Sequence, residues 1–418
     1  MRMDDAGNIP PGALSGIRVL DLSRVLAGPF AAQMLGDLGA DVIKVEQPGT
    51  GDDTRRWGPP FLEDGSGDAA YFTCANRNKQ AMEVDISTPK GADIVRRLAL
   101  QSDVVIENFR VGGLKKYGLD HETLRAEKPD LVWCAITGFG QTGPDAMRGG
   151  YDFLVQGLSG LMSVTGLPPG MPGGGPMKVG VPISDLVTAL YATVSILAAL
   201  NHRVRGGGGQ FIDLALLDAQ VALMSNQAAG WLNAGVDPVR QGNQHPNLTP
   251  YQVFACKDGE VTICALNDRQ FASLCDALEL EGVAHDPQFA TNAARTANRD
   301  ILISLIADKT ARWTSGDLLD AMDRAKVPAG RINSVPQAMS EPQVEARGLI
   351  RRLARADGTQ VAFPGFPAQL SDTPATYRHA PPVRGQDTRS VLAQRLGMSE
   401  SAIEELLQSG AIGTGDGR

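Results

Sequence analysis

Between residues 17 and 137 short apolar runs alternate with helix-forming segments, and this alternation restricts the possible folds more than any other feature. Residues 17–22 (IRVLDL) read as a strand, and a helix begins at Ala27-Gly28-Pro29, where proline suits a first turn, and stops at Gly39. Residues 41–46 (DVIKVE) are a second strand. Strand, helix and strand in this order pack as a right-handed crossover of a parallel sheet. Strands at 81–85, 104–107 and 131–137, with helices at 90–101 and 121–128, continue the pattern. The prediction is a doubly wound α/β domain with ligands beyond the carboxyl ends of its strands, at 23–28, 46–53, 108–110 and 137–143.

At 418 residues the chain exceeds one ordinary core, so two domains are expected. A large domain takes 1–235, including a helix at 153–162, a strand at 210–214 and a helix at 215–231. A smaller α+β domain follows at 236–345, with a hairpin (251–255 and 260–265) and helices at 268–278, 299–310, 315–325 and 336–341. Residues 346–418 return to the large domain, because strands at 350–354 and 360–363 otherwise lack partners; a last helix spans 399–408. Loose tails are expected at 1–11 and 410–418, and the Gly/Pro loop at 166–176 is expected to be a hairpin tip.

Net charge of −8 argues against nucleic acid as a partner, so an anionic ligand needs a local basic cluster. The longest apolar stretch, 186–200, falls short of the ~20 residues that span a bilayer, so no membrane partner is expected. Five scattered cysteines without a CxxC pair give neither a disulfide framework nor a metal site, which fits a reducing cytoplasm.

One acid stands out. In PMKVGVPISDLVTALYA (176–192) Asp185 heads a long apolar helix that Ser184 or Asp185 itself can cap. A carboxylate there faces the positive end of the helix dipole and is expected to stay ionised. Locally the residue reads as a cap or as a nucleophile. A dinucleotide reading of the first crossover fails, since the loop is SRVLAGPF rather than GxGxxG.

Read in order, VLAGP (25–29), GDDTR (51–55), NRNK (76–79), ENF (107–109), GFGQTGP (138–144) and GYD (150–152) before Asp185 resemble the class III coenzyme A transferases, the CaiB/BaiF family that includes formyl-CoA transferase and 2-methylacyl-CoA racemase. The similarity spans nearly the whole chain. Its wording is most like transferases that use succinyl-CoA and dicarboxylates, glutarate-type enzymes in particular. The resemblance implies a Rossmann-like large domain, an interlocked homodimer, acyl-CoA and a carboxylic acid as substrates, and no metal.

It places the family's nucleophile on Asp185 and its CoA contacts on Leu26, Ala27, Asn76, Arg77, Asn78, Lys79, Asn108, Phe109, Arg110, Lys116 and Tyr151. Lys79, Arg110 and Lys116 are cations suited to the phosphates of CoA. A dicarboxylate also needs a cation for its distal end; Arg55 is the first candidate, with Arg56, Arg24 and His245 behind it. Two positions depart from formyl-CoA transferase: Gln47 replaces an arginine near the adenine, and 242–248 (GNQHPNL) replaces a glycine run over the intermediate. The racemase branch has histidine where this chain has Tyr151, and an ordinary tyrosine with a pKa of ~10 is a poor base. CoA transfer through aspartyl anhydride and aspartyl-CoA intermediates is therefore the expected activity. A racemase or epimerase on the same fold, or a non-catalytic CoA-binding protein, are the alternatives.

Overall fold

The computed structural model describes residues 11–356 and 358–415; residues 1–10 of the expected N-terminal tail lie outside them. The chain divides into two compact units, one of Met1–Leu161, Val179–Ala234 and Ala346–Arg418, the other of Met162–Lys178 and Gly235–Glu345. The Gly/Pro loop thus belongs to the second unit. Gly242 N donates to Gly166 O (3.1 Å), tying the loop to the later segment.

In the first unit the alternation becomes β1 (Arg18–Asp21), α1 (Ala27–Asp37), β2 (Asp41–Glu46), β3 (Lys79–Val84), α2 (Pro89–Gln101), β4 (Val104–Glu107), α3 (His121–Glu127) and β5 (Val132–Thr137). There follow α4 (Asp152–Leu158), α5 (Ile183–Val204), β6 (Phe211–Ala215), α6 (Leu216–Leu223) and α7 (Ser225–Ala234). The strands lie in the order β3-β2-β1-β4-β5-β6, all parallel. Such a sheet is covered on both faces, so its central strands are apolar throughout. Every residue of β4 and β5 is buried. Ile94, Val95 and Leu98 of α2 pack on one face; Ala31 and Leu35 of α1, with Ala189, Ala192 and Ile196 of α5, pack on the other. The order reverses between β1 and β4, which opens a crevice at their carboxyl ends.

Two expected helices are interrupted. Ser225 takes φ 45°, which splits 215–231 into α6 and α7, and Gly160 at φ 89° follows the early end of α4.

The second unit carries β7 (Tyr251–Cys256), β8 (Gly259–Cys264), α8 (Asp268–Ala277), α9 (Arg299–Thr310), α10 (Ser315–Ala325) and β9 (Ala329–Arg331). The strands form an antiparallel sheet, β7-β8-β9, over a core that includes Phe254, Val261, Phe271, Leu302 and Leu318. β9 is too short to show an apolar period in the sequence.

The chain then makes β10 (Ile350–Ala354), β11 (Gln360–Pro364), α11 (Thr388–Leu396), α12 (Glu400–Gln408) and β12 (Ile412–Gly413). β10 and β11 pair with each other, outside the large sheet. It is β12 that joins that sheet, antiparallel to β3, with Ala411 and Ile412 buried. Residues 410–415 are therefore ordered rather than a loose tail; 416–418 lie outside the described residues.

Candidate active site

A groove of about 610 Å³ runs along the carboxyl ends of the sheet. Each parallel strand delivers a lining residue just past or at its end: Ala27 after β1, Gln47 after β2, Ile86 after β3, Asn108 after β4, Thr137 in β5 and Leu216 after β6. The alternation alone dictates this convergence, since parallel strands all finish on one edge.

Asp185 opens into this groove from the first turn of α5. Pro182 occupies the N-cap and supplies no side-chain bond, so neither Ser184 nor Asp185 is the cap. The cap comes from α4, whose Asp152 Oδ1 accepts from Ser184 N at 2.8 Å. Gln156 then braces Asp152, donating to its Oδ2 (2.8 Å) and accepting from Val179 N (2.9 Å). Ser184 Oγ donates to Gln220 of α6 (2.9 Å). The helix start is thus fixed from two sides while the Asp185 carboxylate itself has no hydrogen-bond or ion-pair partner among the described residues.

Burial pushes the Asp185 carboxyl up to about 7, and the negative charge of Asp152 adds to the shift. The sequence expectation of an ionised acid at the helix start is thus opposed by burial and by the Asp152 charge, both of which favour the protonated form. The resulting group is half protonated near neutrality and carries no competing partner, a state suited to a nucleophile that charges on demand.

Of the residues placed together by the sequence, the groove gathers Arg24, Leu26, Ala27, Asn108, Phe109, Arg110, Lys116, Tyr151 and Asp185. Leu26 and Ala27 begin α1, which has no side-chain cap and no acid in its first turn, so its leading N–H groups are open to an acceptor. Arg110 and Lys116 are exposed cations on the β4 loop.

The NRNK segment does not reach the groove and must be corrected. Lys79 is fully buried and donates to Asp21 Oδ2 (2.9 Å), Pro29 O (2.8 Å) and Asn76 Oδ1 (2.9 Å). Asn76 also donates to Phe72 O. Arg77 pairs with Asp37, and Asn78 donates to Asp37 and to Thr376 O. These four buried residues bind β1, α1 and the C-terminal segment to one another, and none of them lines the groove.

Arg55 is corrected for the same reason. Its guanidinium forks onto Glu46 (2.7 Å), pairs with Asp68 (2.9 Å), donates to Pro382 O (3.2 Å) and lies over the Phe72 ring. It is 3% exposed and cannot meet a dicarboxylate. His245 belongs to the second unit, where its ring lies tilted 5.0 Å from that of Tyr251 and its Nδ1 accepts from Asn247 N.

Four residues of the site stand outside the predicted set. Asp152 was noted only as a motif letter, though it caps α5. Arg148 lines the groove and lies over Phe139. Gly138 and Gly150 touch backbone to backbone: a Cβ on Gly138 would fall 2.5 Å from the Gly150 Cα, which explains why both are glycine. The paired Gly149-Gly150 before Tyr151 was the available signal.

The model of "CoA-transferase family III" matches residues 14–388. The succinate–glutarate CoA-transferase of Agrobacterium fabrum is 49% identical over 395 residues, 94% of this chain and 98% of that protein. The succinyl-CoA:glutarate CoA-transferase of Mus musculus is 42% identical, covering 96% of this chain and 90% of that one. Among solved structures, a CaiB/BaiF family protein of Brucella suis superposes with a TM-score of 0.82 at 44% identity, covering 92% of this chain and all of that one. With six strand ends converging on one groove, a partnerless aspartate at its wall and a family match over nearly the whole chain, the protein belongs to CoA-transferase family III.

Proposed function

We propose that this transferase moves CoA from succinyl-CoA to a dicarboxylic acid of the glutarate type, with Asp185 as the covalent carrier. The observation that carries the reading is the partnerless Asp185 carboxylate at the wall of the strand-end groove. The named substrates of the Agrobacterium fabrum and Mus musculus relatives support the acid class.

In the proposed path an Asp185 oxygen attacks the thioester carbonyl of the donor, the C–S bond breaks, and a mixed anhydride and CoA thiolate result. The thiolate attacks the Asp185 carbonyl, giving aspartyl-CoA and releasing succinate. The acceptor carboxylate attacks that thioester in turn, forming a second anhydride and regenerating thiolate. Attack of thiolate on the acceptor carbonyl yields the new CoA ester and the free Asp185 carboxylate. Atoms balance without water or ATP, and water is the species to exclude, since it would drain either anhydride. Arg110 and Lys116 are assigned to the phosphates of CoA, with Leu26, Ala27, Asn108, Phe109 and Tyr151 along its length. With Arg55 spent on structure, Arg24 and Arg148 are the remaining groove cations for the distal carboxylate. The reading includes a cytoplasmic homodimer.

The test is incubation with succinyl-CoA and a panel of mono- and dicarboxylic acids, followed by mass spectrometry of the CoA esters. Glutarate-class acids should acquire CoA without ATP, and Asp185→Ala should abolish exchange. Deuterium entering C2 of an acyl-CoA without any exchange would replace the reading with a racemase.

A further inference from the structure

The turn that leads from β1 into α1 contains a conformational anomaly that the reaction path does not explain. Val25 sits at φ 72°, in the left-handed region. Glycine and asparagine enter that region readily, whereas a β-branched residue there is an outlier held by its surroundings. Residues 24–27 contain no glycine or asparagine, so the turn's own sequence gives no reason for the conformation.

The surroundings that hold it are specific. On one side Asn108 grips Arg24 by both backbone groups, accepting from its N–H at 2.9 Å and donating to its carbonyl at 2.7 Å. On the other, Val25 N–H donates to Asp52 Oδ1 at 3.3 Å. Asp52 is itself immobile: Oδ1 also accepts from Thr54 N (3.0 Å) and Thr54 Oγ1 (2.7 Å), and its own N–H donates to Glu46 Oε2 (2.7 Å). Its second oxygen pairs with Lys44 Nζ at 2.9 Å, both side chains being wholly buried. Lys44 in turn donates to Ser23 O at 2.9 Å. The chain of contacts leaves the backbone at Ser23 and returns to it at Val25, closing a brace around the turn. The turn's next residues, Leu26 and Ala27, line the groove and open the uncapped end of α1.

We infer that Asp52 is a positioning residue that holds Val25 in its left-handed backbone and thereby fixes the 24–27 turn against which the CoA ester binds. The inference rests on the groove taking that ester, as proposed above. The simpler role of Asp52, capping the single turn Asp53–Arg56 through Thr54, predicts no link to Val25.

Asp52→Asn is the informative change. Lys44 keeps its charge and demands the one oxygen of the amide, so the NH2 group turns toward the Val25 N–H and the acceptor is lost. Equilibrium binding of free CoA is measured by calorimetry for the wild type, Asp52→Asn, Val25→Gly and the double variant, with melting temperatures alongside. Asp52→Asn should weaken CoA binding about tenfold. In the Val25→Gly background, where glycine needs no brace, the same change should cost at most about threefold. Equal losses in the two backgrounds, or no loss in Asp52→Asn, would overturn the inference, including the case in which both Asp52→Asn variants melt lower by the same amount. A wild-type protein that fails to bind CoA would sink the proposed function instead, a result separable from failure of the brace.

Discussion

As the proposed nucleophile Asp185 has to be ionised, yet it stands in a groove that resists charge. Burial and the neighbouring Asp152 put its carboxyl at about 7. Since the carboxylate is the attacking form, the rate of transfer from succinyl-CoA should rise with pH through about 7. Asp152→Asn removes the adjacent negative charge, so this acid limb should move to lower pH in a stopped-flow pH series; a limb that stays in place would refute the coupling. The same shift acts on stability with the opposite sense. The folded protein holds the Asp185 proton more tightly than the unfolded chain does, so the stabilising effect is complete below about pH 4 and is lost as pH climbs through the folded value. At pH 8 the charge is a burden on the fold, and Asp185→Asn should be more stable than the parent by on the order of 2 kcal/mol in urea unfolding, a gain absent at pH 4. Arg55 gives the contrary case. Removing it as Arg55→Ala strips Glu46 of its buried guanidinium and leaves Asp68 to Arg355 alone, so urea unfolding should show a loss of roughly 3–5 kcal/mol. A variant of unchanged stability with a raised KM for the acceptor acid would return Arg55 to the binding role it has here lost.

At the scale of elements, the alternation of β1 through β5 was legible because a buried parallel strand is apolar at every position and its flanking helices carry their own stops. The strand-end position of the groove followed from that, whereas Leu26, Ala27, Asn108, Phe109, Arg110 and Lys116, which line it, were singled out by the family resemblance. The fate of Arg55 and of the NRNK segment was not legible, because burial of a polar side chain depends on partners remote in sequence. Asn78 is satisfied by Thr376 O and by the N–H groups of Arg378 and His379, and Arg55 by Pro382 O. Nothing near residue 55 or 79 announces a segment three hundred positions away. The helix break at Ser225 was equally hidden, since no glycine or proline marks it. Where a signal did exist it was steric. The loop after β5 and the start of α4 meet at Gly138 and Gly150, with no room for a side chain on either. Gly138→Ala should therefore push α4 off β5, costing about 1–3 kcal/mol on overpacking grounds. Because Asp152 of α4 caps α5, kcat should fall further than the melting temperature alone predicts. Circular dichroism melts and initial rates on the same preparation would separate the two effects, and a full kcat in a destabilised variant would show that α4 does not transmit position to Asp185.

For the whole molecule the open question is what covers α5. Its 22 residues are apolar almost all round, which in a soluble fold implies burial on every side, yet half of its most apolar window is buried within the chain. Leu190 and Val194 stand 54% and 63% exposed on it, and Trp231 and Leu232 of α7 are 56% and 77% exposed. By length and composition alone such a helix could cross a bilayer, but α5 is also the helix that places Asp185 beside the groove, packed against α1 and α6. A second copy of the chain is the cover consistent with the interlocked dimers that the family resemblance implies. Exposed apolar area of this kind marks an interface. The particle in light scattering should have twice the 44.2 kDa of one chain, without detergent. Threading makes a stronger demand than mass. Two chains that pass through one another cannot part by sliding off a surface; one must unfold first, so exchange is limited by the unfolding rate and not by interface affinity. Tagged and untagged dimers mixed under native conditions should therefore stay unmixed for hours at nanomolar concentration, and should form hybrids only after unfolding and refolding together. Rapid hybrid formation without denaturant would leave a dimer but remove the interlock, and a monomeric mass would remove both.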